Sequence, residues 1–392
     1  MSVTAEELVR RTEEIVPELR SRADATALDR RVPVENIEAM RRAGSLKTIQ
    51  ATRNGGFALG IRAHLDVISA LGRGCGNTAW VAGVVQAHSW LLSHFPQEAQ
   101  DEIYGTNGGD TVVAAVIAPR GKAVKTDDGY RLTGVWPFGS GCERSEWLLL
   151  GAVVTNEAGE VIDEGDFAVP ADQVTITDDW HTVGLTGTGS CTMSVNDIAV
   201  PAHRFLSFPA LFTGSTPGGG LHGDDAVQRS AAVPVLTIAL CGGSIGVAKQ
   251  ALADFPPLVL GKTTAYTADR TDLNPITHLR LAEAASLIRE GELLLYSVAD
   301  EVDAAVAAGT EVEFLDRARM RLDCAVAVRR LLEGVEILFK ESGATGIRTS
   351  SPLARAVADL RAVNNHGLMK LETNLEMYGR LLLGQAPNTP LI

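Results

Sequence analysis

The chain has 392 residues, enough for two or three domains that bury their own cores without a disulfide or a metal. Its 48 acidic and 35 basic residues give a net charge of −13, which argues against a surface that binds nucleic acid. The five cysteines form neither a CxxC pair nor a group with zinc spacing. We therefore expect reduced thiols, no metal site and a cytoplasmic protein.

Residues 1–110 predict an N-terminal helical domain. Leu8, Ile15 and Leu19 recur at helical spacing between charged residues, without the apolar core of a signal peptide. Residues 61–104 continue this pattern and contain a run of small residues, GRGCGNTAWVAGVVQ, which would let one helix approach another closely. Because no apolar run reaches the roughly 18 residues of a membrane span, we expect no membrane contact.

Residues 111–222 predict a small antiparallel β-domain. Short β-branched runs such as VVAAVIA, WLLLGAVV and CTMSVNDIAVP are separated by Gly, Asp and Pro, which is typical of strands and turns. In KTDDGYRLTGVWPFGSG, a DDG turn signal precedes a strand that ends near an aromatic pair.

Residues 223–392 predict a helical bundle. Helical periodicity covers 231–254, 276–307, 312–341 and 353–383, with FPP, LNP and ESGATG as punctuation between the segments. Four long helices joined by short connections indicate an antiparallel four-helix bundle.

The order of these parts resembles the acyl-CoA dehydrogenase superfamily over nearly the whole chain. DRTDLNPITHLRLAEAASLI is similar to the family segment in which an arginine precedes a bundle helix, and ESGATG is similar to the Gly-rich turn before the last bundle helix. The resemblance implies a mainly α fold with a middle β-barrel and a C-terminal four-helix bundle. It also implies flavin contacts from Gly343 and from Arg270, whose guanidinium suits a phosphate.

The dehydrogenases of this superfamily carry a catalytic glutamate before a glycine in their C-terminal part. The matching place here reads NNHG, with His366 before Gly367. A glutamate at this place abstracts an α-proton, whereas an imidazole, with an ordinary pKa near 6.5, donates a hydrogen bond to oxygen. The exchange disfavours dehydrogenation and favours oxygen chemistry.

The segment GVWPFGSGCERSEWLLLGAV resembles the Trp-x-Phe-x-Ser-Gly region in the oxygenase components of two-component flavin monooxygenases, such as hydroxyphenylacetate and secosteroid phenol hydroxylases. In that family the serine lies beside flavin N5, and the C-terminal histidine faces the other side of the reactive centre. The resemblance assigns these catalytic places to Ser140 and His366. It also implies flavin contacts from Trp136, Phe138 and Gly141.

Two further residues are candidates for contact with substrate. In QAHSWLLSHFP, His88 resembles a catalytic histidine that faces the substrate in several relatives, and Arg229 at the start of the first bundle helix is a weaker candidate. The candidates also have ordinary structural alternatives: Ser140 as a turn serine, His88, His366 and Trp136 as core side chains, and Arg270 as a solvated loop arginine.

The resemblance implies that reduced FMN, or else FAD, reacts with dioxygen to a C4a-hydroperoxide that hydroxylates an aromatic or polycyclic phenolic substrate. Neither ESGATG nor CGGSIG follows a strand as a dinucleotide fingerprint requires, so we predict no nicotinamide site. A separate flavin reductase must then supply the reduced flavin. A homotetramer is the family expectation, and apolar residues on several faces of the helices, as in LLEGVEILF, suggest burial against other subunits.

Other functions stay open on the sequence alone. The same fold could serve N-oxygenation of an amino sugar or dehydrogenation of a carrier-bound substrate, and a dehydrogenase would hold oxidised FAD tightly. A catalytically silent bundle protein that assembles with partners would instead have no affinity for flavin.

Overall fold

The structure is a computed structural model that describes residues 3–105, 107–264, 266–389 and 391–392. Up to residue 105, the described chain is helical as predicted, with α1 (Ala5–Ser21), α2 (Ala23–Leu28), α3 (Val34–Ala43), α4 (Ile61–Gly74), α5 (Gly76–Leu92) and α6 (Gln97–Tyr104). The hydroxyl of Thr4 caps α1 by accepting the Glu7 N–H. α1 buries Leu8, Ile15 and Leu19, as their helical spacing predicts.

The strands of the described residues form one sheet: β1 (Val113–Thr126), β2 (Gly129–Gly139), β3 (Trp147–Thr155), β4 (Val161–Pro170), β5 (Thr175–Thr177), β6 (Cys191–Pro201) and β7 (Phe205–Ser207). The first and last strands lie inside the predicted β-domain of residues 111–222. Their spatial order is β5-β6-β2-β1-β3-β4-β7, with β5 and β7 at the edges, so the sheet is open and not the expected closed barrel.

One pairing corrects the expectation of a purely antiparallel domain, because β1 and β3 are parallel. β1 and β2 form the predicted hairpin, with Thr126 paired to Gly129, and β2 then pairs with β6 on its far side. The connection after β2 therefore crosses back to the free edge of β1, where β3 runs in the same direction as β1.

The remaining described helices are α7 (Phe208–Phe212), α8 (Ala232–Ile238), α9 (Gly242–Asp254), α10 (Pro256–Val259), α11 (Pro275–Ala308), α12 (Phe314–Glu341), α13 (Pro352–Asn364) and α14 (Leu371–Leu382). α11 and α12 match two of the predicted long helices. The other two predicted helices are interrupted, at 239–241 and at 365–370. The second interruption contains Asn365, His366 and Gly367, which are all poor helix formers.

Close backbone contacts join the N-terminal helices to α9 and to the helix break that precedes it. A Cβ on Gly83 of α5 would lie 2.5 Å from Ala239 O, and a Cβ on Gly72 of α4 would lie 2.5 Å from Gly243 O. Glycine permits this approach because it has no side chain. The small-residue run at 72–86 therefore packs as the sequence predicted.

Residues 232–259 form the one segment of the described chain that is long and apolar enough to cross a membrane. About two thirds of its most apolar window is buried inside the protein, as in the core helix of a globular protein. α9 in this segment packs against α4, α5, α12 and α13.

Candidate active site

Ser140 lies in a sharp turn at the end of β2. Two residues of this turn, Phe138 and Gly141, have positive φ angles of 72° and 73°. A Cβ on Gly141 would meet Val81 Cγ1 of α5 at 2.8 Å, so glycine suits both the backbone angle and the contact. The turn holds Ser140 against α5 at the position of Trp80.

A chain of hydrogen bonds fixes the hydroxyl of Ser140. Trp80 Nε1 donates to Ser140 Oγ at 3.0 Å, and Ser140 Oγ lies 2.8 Å from Ser190 Oγ. Ser190 Oγ lies 2.7 Å from Thr188 Oγ1, which donates to Leu185 O at 2.8 Å. We call Ser140, Ser190 and Thr188 the hydroxyl relay. It connects the turn after β2 to the loop before β6.

His366 lies between α13 and α14 and contacts the same tryptophan. The two ring centroids are 5.7 Å apart, and the rings meet edge to face at 62°. Burial lowers the pKa of His366 to about 4, so the ring is neutral at physiological pH. His366 Nδ1 accepts the Leu368 N–H at 3.3 Å, which leaves the ring proton on Nε2. His366 therefore offers a neutral N–H donor next to Trp80.

His88 lies two turns beyond Trp80 on α5, about 12 Å along the helix axis. Its Nδ1 lies 2.9 Å from Val113 O of β1. Because a carbonyl can only accept, Nδ1 carries the proton and Nε2 keeps its lone pair. Burial lowers the pKa of His88 to about 4, so Nε2 is a neutral acceptor at physiological pH.

Trp80, Ser140 and His366, which we call the tryptophan cluster, suit a flat heteroaromatic ring with polar edges. All three residues are partly exposed, so a ligand can reach them. Ser140 Oγ keeps one lone pair beyond its two hydrogen bonds, and His366 Nε2 has no hydrogen-bond partner among the described residues. The residues present therefore fit a flavin.

A pocket of about 300 Å³, which includes space open to solvent, lies beside Trp80 between α5, α9 and α13. Its lining is mainly apolar and includes the buried carboxylate of Asp359. Asp359 Oδ1 accepts the Leu185 N–H at 2.7 Å, and Oδ2 lies 3.4 Å from Asn77 Nδ2. Burial raises the pKa of Asp359 to about 6. This carboxylate joins α13 to α5 and to the loop before β6.

Two of the predicted flavin contacts, Trp136 and Phe138 of β2, differ in exposure. The ring of Trp136 is completely buried, and its Nε1 donates to Gly151 O at 2.7 Å. Trp136 is therefore a core side chain, and neither face of its ring is free for a flavin. Phe138 is 61% exposed, and its ring meets Trp180 edge to face at a centroid distance of 6.0 Å. Trp80, not Trp136, is the tryptophan in contact with Ser140.

The structure does not bring the other predicted residues to the tryptophan cluster. Arg270 is exposed and forms an ion pair with Asp272 at 2.5 Å. Gly343, with a φ of 64°, begins the turn after α12, and Arg229 donates to Gly223 O at 3.1 Å. Among the described residues, no hydrogen bond links Arg270 or Arg229 to Ser140, His88 or His366.

Sequence reasoning missed Trp80, Ser190, Thr188 and Asp359. The segment GLTGTGS at residues 184–190 carried a usable signal, because it concentrates three hydroxyl side chains and three glycines after a strand. Trp80 and Asp359 carried none, since their partners are distant in sequence.

Comparisons with known proteins show the family to which the chain belongs. Residues 238–371 match the family model described as acyl-CoA dehydrogenase, C-terminal domain. The chain is 34% identical to the FADH(2)-dependent resorcinol hydroxylase, oxygenase component, of Rhizobium sp. strain MTP-10005, over 97% of this chain and 95% of that protein. The crystal structure of the HsaA monooxygenase from M. tuberculosis superposes with a TM-score of 0.92 at 31% identity, covering 99% of this chain and 100% of that one.

XiaF from Streptomyces sp., solved in complex with FADH2 and glycerol, superposes with a TM-score of 0.91 at 27% identity, over 98% of this chain and 97% of that one. The chain belongs to the oxygenase components of two-component flavin-dependent monooxygenases, which share the acyl-CoA dehydrogenase-like fold. It is an enzyme that uses reduced flavin, as the resemblance implied.

Proposed function

We propose that this oxygenase hydroxylates a phenolic aromatic substrate with reduced flavin and dioxygen. The tryptophan cluster carries the proposal, because it places an indole, an acceptor hydroxyl and a neutral imidazole N–H around one accessible place. The sequence resemblance assigned both Ser140 and His366 to the flavin, and their common contact with Trp80 supports a single site for the two residues.

Reduced flavin, when bound, supplies the electrons that activate dioxygen for transfer of one oxygen atom to the substrate. Ser140 would hold a polar edge of the ring, and Trp80 would pack against the ring while holding Ser140. His366 Nε2–H would donate to a nearby oxygen atom. Because a neutral imidazole is a poor acid, His366 would stabilise negative charge on that oxygen without giving it the proton that promotes release of hydrogen peroxide.

His88 would act on the substrate. Its free Nε2 lone pair can accept a hydrogen bond from a phenol hydroxyl, which raises the electron density of the aromatic ring and favours attack on an electrophilic oxygen. Its Nδ1–H bond to Val113 O fixes the tautomer that this role requires. The apolar surroundings of His88 on α5 suit an aromatic substrate.

The substrate class rests on the names of the relatives, which act on resorcinol and other aromatic compounds. The test supplies reduced FMN or FAD to the purified protein with each of a set of phenols, admits isotopically heavy dioxygen, and detects products by mass spectrometry. We expect one heavy oxygen in the hydroxylated product. Incorporation of oxygen from water, or peroxide release with every phenol, would contradict the proposal.

The partner of this oxygenase is a flavin reductase. We propose reduced FAD as the preferred flavin, in place of the FMN expected first, because the resorcinol hydroxylase is named for FADH2. Adding NADH and flavin to the protein alone should consume no NADH, and adding an unrelated flavin reductase should start the reaction. Competition between reduced FMN and reduced FAD would then rank the two flavins.

We propose that Arg270 and Gly343 contact the flavin across a subunit boundary in a homotetramer in the cytoplasm. Arg270 precedes α11 and Gly343 follows α12, and these helices pack closely against each other, although both residues lie apart from the tryptophan cluster. Light scattering gives the subunit number. An Arg270→Ala variant that binds FAD as tightly as the wild type would exclude the phosphate contact.

A further inference from the structure

The hydroxyl relay has a fixed hydrogen-bond direction. At one end Trp80 Nε1 carries a hydrogen and can only donate to Ser140 Oγ. At the other end Leu185 O can only accept, and it accepts the single hydrogen of Thr188 Oγ1 at 2.8 Å as well as the Trp180 Nε1–H at 2.9 Å. Each hydroxyl between these ends has one hydrogen to give.

These constraints determine every donor in the relay. Because Thr188 has already used its hydrogen, it accepts from Ser190 across the 2.7 Å contact. Ser190 has then used its own hydrogen and accepts from Ser140 across the 2.8 Å contact. Ser140 has therefore given its hydrogen away and has accepted one from Trp80. It keeps one lone pair and no free hydrogen for a ligand.

We propose that Ser190 and Thr188 make Ser140 an acceptor only, and that this selects the reduced flavin over the oxidised flavin. The inference rests on the proposed function, which places Ser140 at the flavin ring. N5 of an oxidised flavin is an acceptor, whereas N5 of a reduced flavin carries a hydrogen. Ser140 can bond the reduced form, and with the oxidised form two lone pairs face each other.

Ser190 and Thr188 are positioning residues in this view, because they act through Ser140. An oxygenase of this kind must bind reduced flavin and release oxidised flavin, whereas other flavoproteins hold the flavin in both states. Ser190 and Thr188 would supply this difference in affinity. The two residues act on the difference in affinity between the two states and not on the affinity for flavin in general.

The experiment measures the dissociation constants of oxidised and dithionite-reduced flavin under anaerobic conditions, by ultrafiltration, with FMN and with FAD. Ser190→Ala frees the Ser140 hydrogen to donate to oxidised N5. We expect oxidised flavin to bind about fivefold to tenfold more tightly, with reduced flavin changed by no more than about twofold. The reduction potential of the bound flavin should then lie closer to that of free flavin than in the wild type, because their difference depends on the logarithm of the ratio of the two dissociation constants.

Thr188→Val gives a second test, because Ser190 loses its acceptor and can turn its hydrogen towards Ser140. The shift should have the same direction and a smaller size. Ser190→Thr and Thr188→Ser keep both hydroxyls and should restore the wild-type ratio. Thr182→Val is the matched control, since Thr182 donates to Gly184 O at 3.0 Å in the same loop but lies outside the relay.

The outcomes separate the inference from the proposed function. If the wild type binds neither form of FMN or FAD, both are wrong. If it prefers reduced flavin but Ser190→Ala and Thr188→Val leave the ratio unchanged, or weaken both forms equally, the inference alone is wrong. Should Ser190→Ala fail to fold, Thr188→Val together with its Thr188→Ser rescue decides the question.

Discussion

Trp80 Nε1 donates to Ser140 Oγ at 3.0 Å, so a helix of the N-terminal part and a turn of the sheet meet at one hydrogen bond. The ring of His366 also packs against the indole of Trp80. Trp80 thereby links the two residues that the sequence assigns to catalysis, although it belongs to neither of their segments.

Trp80→Phe keeps an aromatic ring against His366 and removes the N–H that holds Ser140. We expect a larger share of the consumed dioxygen to appear as hydrogen peroxide, because Ser140 loses one of its two fixed contacts. Trp90→Phe is the matched control: Trp90 lies on the same helix and donates to Val227 O at 2.9 Å. Each change should lower stability by about 1 kcal/mol. A peroxide yield equal to the control would show that the Trp80 bond has no catalytic role.

The neutral state of His366 predicts a flat pH dependence. The pKa of His366 is lowered to about 4, below its value near 6.5 in an unfolded chain. Activity should therefore show no step near pH 6.5 from this group, and it should fall only as the pH approaches 4. His366→Asn keeps an N–H donor without an ionisation and should retain more activity than His366→Ala. A wild-type step near pH 6.5 that disappears in His366→Asn would contradict the neutral assignment.

The same lowered pKa has a consequence for stability. The unfolded chain binds the His366 proton below about pH 6.5, whereas the folded chain binds it only near pH 4. Stability contributed by the neutral ring is complete above pH 6.5 and is lost as the pH falls through this window. Urea denaturation of the wild type and His366→Asn from pH 7 to pH 5 should show a steeper loss for the wild type.

His88→Leu tests the proposed hydrogen bond from the phenol to His88. The change removes the free Nε2 lone pair, and we expect kcat/KM for the phenol found in the substrate screen to fall by about tenfold or more. The affinity for reduced flavin should stay within about twofold, because His88 lies about 12 Å along α5 from Trp80. His94→Leu, two residues beyond the end of α5 and also buried, serves as the control. An equal loss in both variants would indicate a purely structural effect.

We expect that replacing the buried Asp166 of β4 stabilises the protein. The residue is completely buried, and neither carboxylate oxygen has a hydrogen-bond partner in the part of the chain that the structure describes. Burial raises its pKa to about 8. The folded chain keeps this proton to about pH 8, while the unfolded chain loses it near pH 4. Wild-type stability therefore falls by up to about 1.4 kcal/mol per pH unit between these values.

Asp166→Asn cannot ionise and should be more stable than the wild type at pH 8, with the difference vanishing near pH 4. Chemical denaturation across this pH range measures it. Glu164→Gln, a partly exposed position on the same strand, is the control. Equal stability of Asp166→Asn and wild type at pH 8 would mean that the carboxyl group finds a partner in solution.

The sequence predicted most of the architecture because periodicity and turn signals are local. α11, α12 and the hairpin of β1 and β2 follow their patterns closely. The parallel pairing of β1 with β3 was missed because the sequence pattern of a strand does not determine which neighbour it pairs with or in which direction. The helix break at residues 365–370 was also missed, although Asn365 and Gly367 are unfavourable in a helix.

The site was predictable only where a motif carries its own chemistry. Ser140 and His366 were found through segments similar to known enzymes, whereas Trp80 looked like one core residue among many on α5. Trp136 shows the opposite error. It stands in the recognisable motif, yet its ring fills the sheet core and donates to Gly151 O. Which of two tryptophans meets Ser140 depends on tertiary packing, and no single segment determines it.

Asp359 gives the site a place in the folding of the chain. Its carboxylate contacts Leu185 and Asn77. These contacts form only when α13, the loop before β6 and α5 are all docked against one another. A chain in which any of these parts is unfolded has no complete reaction site. Because reduced flavin and dioxygen produce hydrogen peroxide when they meet without protection, the protection of the flavin depends on all three parts being docked.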